Sequence, residues 1–179
     1  VYNQIALDLV EAIEDLPEVV SQSEAGRISK WAAEGLLART YLFYNGVYGS
    51  DLVAGEKTID KAAILVYVED LIANSGHDLF DNYQDNFKLV GEFGIESVFE
   101  ISYGDTPAWW DWGYIRGGHG NLSAQQQGPR VTGSTNWNRG WSFATVSQKL
   151  VSDLEGDPRF IHTVLKEEVV VGKLQKGYQ

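Results

Sequence analysis

The stretch that decides the fold runs from Gly26 to Tyr48 and reads GRISKWAAEGLLARTYLFYNGVY. Ala33, Leu36, Leu37, Thr40, Tyr41 and Tyr44 stand at i, i+3, i+4, i+7, i+8 and i+11, so they line one stripe of a helix, with Lys30, Glu34 and Arg39 away from it. Ser29 is placed to cap the first turn, because its hydroxyl can accept from an otherwise unpaired backbone N–H, and Gly46 can take the left-handed conformation that ends a helix. Ala32, Ala33, Gly35 and Ala38 carry too little bulk to hold a neighbouring helix away, while Tyr41, Phe43 and Tyr44 fill the wider end. The pattern predicts the inner helix of a helical-repeat pair.

Upstream, Tyr2, Ile5, Leu9, Ala12, Ile13 and Leu16 recur at helical spacing until Pro17 stops them, and Glu18 to Ile28 has no period. A first helix, a loop and the central helix make a helical hairpin. Downstream, a Gly-containing segment reaches Thr58, the expected cap of a third helix marked by Ala62, Ala63, Val66, Tyr67, Leu71 and Ile72 and closed at Asn74-Ser75-Gly76. The GEKT at Gly55 to Thr58 lacks the Gly directly before Lys that a phosphate-binding loop needs. His77 to Phe87 reads as a polar and aromatic turn region, and the alternation from Glu96 to Tyr103 predicts a short strand. Helical spacing returns at Val146, Lys149, Leu150, Asp153 and Leu154, stops at Gly156, and leads into the turn Asp157-Pro158-Arg159. Phe160 to Leu165 and Val169 to Val171 are candidate short strands.

Between Tyr103 and Phe143 the composition changes: five of the six Trp lie here, with eight Gly and five charged side chains. A stretch of this length without periodicity reads as a functional loop, and its Trp content argues against a disordered one. The organisation expected is a helical-repeat part over 1–102, an aromatic and Gly-rich loop region of the same domain over 103–143, and a helix with short strands over 144–179.

The chain as a whole has 179 residues, 44% of them hydrophobic and 22% charged, as in ordinary globular proteins. Its formal charge of −11, with no local basic cluster, repels phosphate backbones and anionic membrane surfaces. With no Cys there are no disulfides, thiolate metal sites or cysteine nucleophiles, which is compatible with an exported bacterial protein. No apolar run approaches the roughly 20 residues of a membrane-spanning helix. The opening at Val1, already inside a helical pattern, leads us to expect a piece of a longer protein.

Taken together, these segments resemble the SusD/RagB family. GRISKWAAEGLLARTYLFY is similar to that family's Gly-Arg, small-residue, Leu-Leu-Ala-Arg-x-Tyr-Leu helix, and Ala62 to Leu79 to its next helix and Ser-Gly turn. NYQDNF at Asn82 to Phe87, then ESVFEISY, and finally Gly156-Asp157-Pro158-Arg159 follow in the family's order. The resemblance implies a mainly α, tetratricopeptide-like superhelix with long irregular loops and a few short strands. It also implies a nutrient-binding lipoprotein at the bacterial outer-membrane surface, lipid-anchored from outside this stretch and seated over a SusC-like TonB-dependent transporter.

The family's sugar contacts vary too much to carry over, so candidate residues come from the chemistry of the aromatic stretch. Indole and phenol faces suit the apolar C–H face of a pyranose, and Asn, Gln and Arg satisfy its hydroxyls. Trp109, Trp110, Trp112, Tyr114 and Trp137 would stack, and Arg116, Asn121, Asn136 and Asn138 would hydrogen-bond, with Gln125, Gln126 and Arg139 nearby. The competing reading is that these Trp residues pin the loop to the helices. Trp31, Trp141 and Phe143 are expected to pack, and Arg159 to hold a helix end or a local carboxylate.

A glycosidase needs two carboxyls held near one bond, and Asp105 with Asp111 is the one acidic pair in the aromatic segment, so a non-catalytic binder is expected. His77, His119 and His162 are isolated, which predicts no zinc site and no cofactor. The expected ligand is an oligosaccharide or polysaccharide. A peptide-capturing RagB-like binder and a structural helical-repeat adaptor remain as alternatives.

Overall fold

The computed structural model describes residues 1–103, 126–128, 130 and 140–164, together with the backbone of 167–170 and 173–176. It divides into two compact units, Val1–Ile101 and Ser102–Gln179. In the first unit, helix α1 (Tyr2–Asp15) ends at an extended Leu16, the conformation that a following proline imposes. Helix α2 (Lys30–Tyr48) starts as expected, with Ser29 Oγ accepting from the Ala32 N–H at 3.2 Å. It packs on α1 around fully buried Ala6 and Leu37, and Tyr41 is buried beside them.

Two features of α2 differ from expectation. The helix runs through Gly46 and ends at Gly49, which is left-handed with φ 63° and ψ 25°. Tyr48 explains the extra turn: its ring lies 4.9 Å from Tyr44 and 6.2 Å from Tyr2, a contact that ending at Gly46 would forfeit. The buried face also differs, since Leu36 is half exposed, whereas Trp31, Ala32 and Glu34 are buried with Ala33, Leu37 and Ala38. α2 has neighbours on more than one side, so one stripe could not describe it. Trp31 packs as expected, its Nε1–H donating to the Glu18 carbonyl at 2.8 Å.

The segment before the third helix is a β hairpin, β1 (Leu52–Ala54) with β2 (Lys57–Ile59), antiparallel with Ala54 opposite Lys57. Gly55, at φ 63°, makes the two-residue turn possible. Leu52, Ala54 and Ile59 enter the core while Val53 points outward, and the Val53 N–H donates to Asn3 Oδ1 on α1 at 3.0 Å. GEKT is thus this turn and strand. Thr58 lies in β2, and the cap of helix α3 (Lys61–Asn74) is Asp60, whose Oδ1 accepts from the Ala63 N–H at 2.9 Å. Ile64 is the buried residue of α3, with Tyr67, Val68 and Leu71 half-buried, while Ala62, Val66 and Ile72 face out. Ala62 to Val68 is apolar at every position, so spacing alone could not select the inner face.

Beyond Gly76 the chain runs through the 3-10 turns Tyr83–Phe87 and Leu89–Gly91. At Gly91 a Cβ would collide with the Asp85 carbonyl oxygen, so the turn requires glycine. No strand forms over the described residues from Glu96 to Tyr103. Instead the acidic residues staple the loop: Glu96 Oε2 accepts from the Phe80 N–H at 3.1 Å, and Glu100 Oε2 from the Phe93 N–H at 2.9 Å and the Ser97 hydroxyl at 2.8 Å. A strand needs a neighbour for its backbone, and none is present among the described residues.

In the second unit, helix α4 (Gln148–Asp153) begins one residue after its cap Ser147, so Val146 precedes it. Gly156 is left-handed at φ 83°. Arg159 pairs with Asp157, Nη2 to Oδ2 at 2.6 Å and Nε to Oδ1 at 2.9 Å, the local structural role expected of it. This guanidinium holds the Asp157 carboxyl down at about 2. Phe160–Thr163 is a short helix, α5, and not a strand. The Phe160 N–H donates to the Asp157 carbonyl at 3.0 Å and the Val164 N–H to the Phe160 carbonyl at 3.0 Å. Strands β3 (Glu167–Val170) and β4 (Lys173–Lys176) pair antiparallel. Trp141 is half-buried with its ring 5.5 Å from Phe143, but Phe143 itself is 67% exposed and so is no core residue.

Candidate functional site

The residues expected to contact sugar, Trp109, Trp110, Trp112, Tyr114, Arg116, Asn121, Asn136, Trp137 and Asn138, lie outside the described residues, as do Asp105, Asp111, His119, Gln125 and Arg139. Gln126 is described and exposed, its carbonyl accepting from the Phe143 N–H at 2.8 Å. The site geometry on hand is therefore in the first unit, at two places along α2.

One is a groove of about 860 Å³ between α2, Leu71 of α3 and the loop from Asn86 to Glu100. Its α2 wall is Ala32, Gly35, Leu36 and Arg39, a run at i, i+3, i+4 and i+7 whose first two members are small enough to leave room. Phe87 and Phe99 stand on the loop side, 68% and 57% exposed. Sequence reasoning placed small residues on α2 for helix packing. Their side also opens a groove, a consequence visible only once the loop is known to come back over α2.

The other is a charged cluster at the start of α2. Lys30 Nζ lies 2.7 Å from Asp70 Oδ2 on α3, 3.6 Å from Glu18 Oε1 and 3.9 Å from Glu34 Oε1, and sits 4.6 Å from the centre of the Trp31 ring. Glu34 is 1% exposed, and among the described residues its Oε2 has no hydrogen-bond partner. Burial pushes its carboxyl up to about 7, against the pull of Lys30 and with Asp70 adding to the rise. The hydrogen bond from Lys30 holds Asp70 below the usual carboxylate range, helped by Asn74, and the same bond raises Lys30. Sequence reading put Glu34 outside the packed stripe; its position between Ala33 and Gly35 was the available sign that its surroundings are close-packed. Among the described residues no group of three His, Cys, Asp or Glu side chains could hold a metal ion.

No family profile matches the chain. Over 111 residues it is 33% identical to a SusD-like protein of Bacteroides ovatus, a match spanning 62% of this chain and 19% of that protein. It superimposes on a laminarin binding SusD-like protein with a TM-score of 0.76 and 28% identity, over 99% of this chain and 39% of the other. Surface glycan-binding protein A from Bacteroides thetaiotaomicron, solved in complex with laminarihexaose, gives 0.65 and 28% over 85% of this chain and 31% of the other. A crystal structure containing a xylogluco-oligosaccharide gives 0.67 and 26% over 90% and 30%. The chain spans less than two fifths of the length of each of these relatives. The mainly helical architecture with a few short strands is shared with them, and over this part of their length the chain is similar to SusD-like proteins.

Proposed function

We propose that this chain is part of a protein that captures an oligosaccharide or polysaccharide at the bacterial outer-membrane surface without breaking any bond. The protein then passes its ligand to a SusC-like TonB-dependent transporter. The observation that carries this reading is the overlap with relatives whose solved structures contain laminarihexaose and a xylogluco-oligosaccharide, at 28% and 26% identity. In this reading 1–102, 103–143 and 144–179 belong to one larger SusD-like domain, and a lipid anchor elsewhere in that protein holds it to the membrane. The aromatic stretch supplies the stacking faces Trp109, Trp110, Trp112, Tyr114 and Trp137, and Arg116, Asn121, Asn136 and Asn138 satisfy hydroxyls. Affinity then comes from stacking and hydrogen bonds, which need no catalytic pair.

Calorimetry of the protein against laminari- and xylogluco-oligosaccharides and a peptide panel tests the reading. We expect heat of binding with at least one glycan, reduced about tenfold or more when Trp110, Trp112 and Trp137 become Ala, equivalent to losing 1.4 kcal/mol or more. Binding of peptides with no response to any glycan overturns it in favour of a peptide binder. Unchanged ligand uptake in the triple Trp variant, with loss of complex formation on altering the α2 face, overturns it in favour of an adaptor.

A further inference from the structure

The groove on α2 has the furnishings of a ligand site among the described residues of the first unit. We infer that it is a second carbohydrate subsite, one that takes neutral sugar rings. The inference rests on the reading that the protein binds oligosaccharide, and adds to it a place and a charge preference.

Three observations carry it. The volume of about 860 Å³ is within the roughly 300–1,000 Å³ of small-molecule sites. Phe87 and Phe99 leave more than half of their surface uncovered beside Leu36, which is 51% exposed, so the groove offers apolar faces to the C–H side of a pyranose. The side chains of Arg39 and Asn86 make no hydrogen bond or ion pair among the described residues, which leaves a guanidinium and an amide to donate to ring hydroxyls and the Asn86 amide oxygen to accept.

The charges decide what kind of sugar. Glu92, Glu96 and Glu100 line the groove against Arg39 and Lys88, and Lys88 is already paired with Asp85 at 2.9 Å. Glu96 and Glu100 line the groove, and each accepts from a loop N–H at Oε2. A uronate or sulfated sugar would meet three carboxylates for one unpaired cation, whereas neutral hydroxyls can donate to the carboxylates and accept from Arg39.

The test is calorimetric titration of the protein with laminarihexaose, and with an oligoglucuronate as the acidic arm, in wild type, Arg39→Ala, Asn86→Ala, Phe99→Ala and Trp110→Ala/Trp112→Ala. Arg39 and Phe99 are exposed, and an unchanged thermal midpoint shows that each variant folds. We expect the Trp variant to keep a weaker laminarihexaose site, and the groove variants to lose it by about tenfold or more with the midpoint unchanged. Wild type binding no laminarihexaose or other neutral glycan sinks the functional reading and the groove together. Wild type binding with all groove variants equal to it sinks the groove alone. Tighter binding of the oligoglucuronate through Arg39 overturns the neutral preference. A lowered midpoint or lost protein association, with sugar binding intact, identifies the groove as a protein-packing surface and overturns the subsite.

Discussion

The two sides of α2 are held by different physics. Toward α1 and the β hairpin, Leu37, Ala38 and Tyr41 meet Ala6, Leu52, Ala54 and Ile59 in a wall without charges, and the one hydroxyl, Tyr41 Oη, donates outward to Asp51 at 3.1 Å. Toward α3 and the Glu18 loop, Lys30 and Glu34 meet Asp70 and Glu18, with a buried carboxyl oxygen that has no partner among the described residues. The apolar wall is stabilising through area removed from water and is indifferent to pH. The charged wall offsets desolvation with pairing, so its contribution depends on which groups carry protons.

Four substitutions on α2 probe that contrast and its setting, in falling order of expected effect. Leu37→Ala removes a side chain that is wholly buried in the apolar wall and should cost about 2–5 kcal/mol in urea unfolding. A cost as small as that of a surface residue would mean that α1 and α2 are not held together by this wall.

Glu34 should make stability depend on pH. Its folded value of about 7 lies above the ordinary 4.5, so the folded state holds a proton that the unfolded chain gives up. The associated stability is fully present below about 4.5 and is lost as pH rises to about 7, a fall on the order of 3 kcal/mol, opposed by Lys30 and augmented by Asp70 and Glu18. Glu34→Gln should flatten this slope in thermal melts from pH 4.5 to 8. An unaltered slope in the variant would assign the dependence to some other group and erase the distinction between the walls.

The smallest effects concern where α2 stops, and they come as a pair of opposite sign. Gly49→Ala forces a side chain into a left-handed residue and should destabilise by about 1 kcal/mol, whereas Gly46→Ala, in open helical space, should stabilise by about 0.5–1 kcal/mol. Thermal midpoints moving in the same direction for both would show that the helix does not continue through Gly46 to the Tyr44–Tyr48 contact.

Much of the fold was legible because its signals are local. The Ser29 cap, the stop before Pro17 and the period of α1 each depend on residues within a turn or two of one another. The errors share the opposite property. Glu96 to Tyr103 alternates like a strand, yet its acidic side chains bond to Phe80 and Phe93, partners that the alternation does not name. The hairpin at Leu52–Ile59 was missed because each of its strands has 3 residues, too few for an alternation to stand out in the sequence. Of the candidate contacts, the aromatic set was chosen from composition, while the groove depends on Arg39 and Phe99 being brought to one place from sixty residues apart.

By itself the sequence determined a mainly helical scaffold, the start of its central helix and its likeness to SusD-like proteins, since periodicity, caps and word order are carried along the chain. Tertiary structure alone decided which side of each helix is interior, that Glu34 is buried against Lys30 and Asp70, and that α2 carries a groove. Those outcomes depend on which distant segments meet, and a helix that is apolar or small on several faces has no local preference among them.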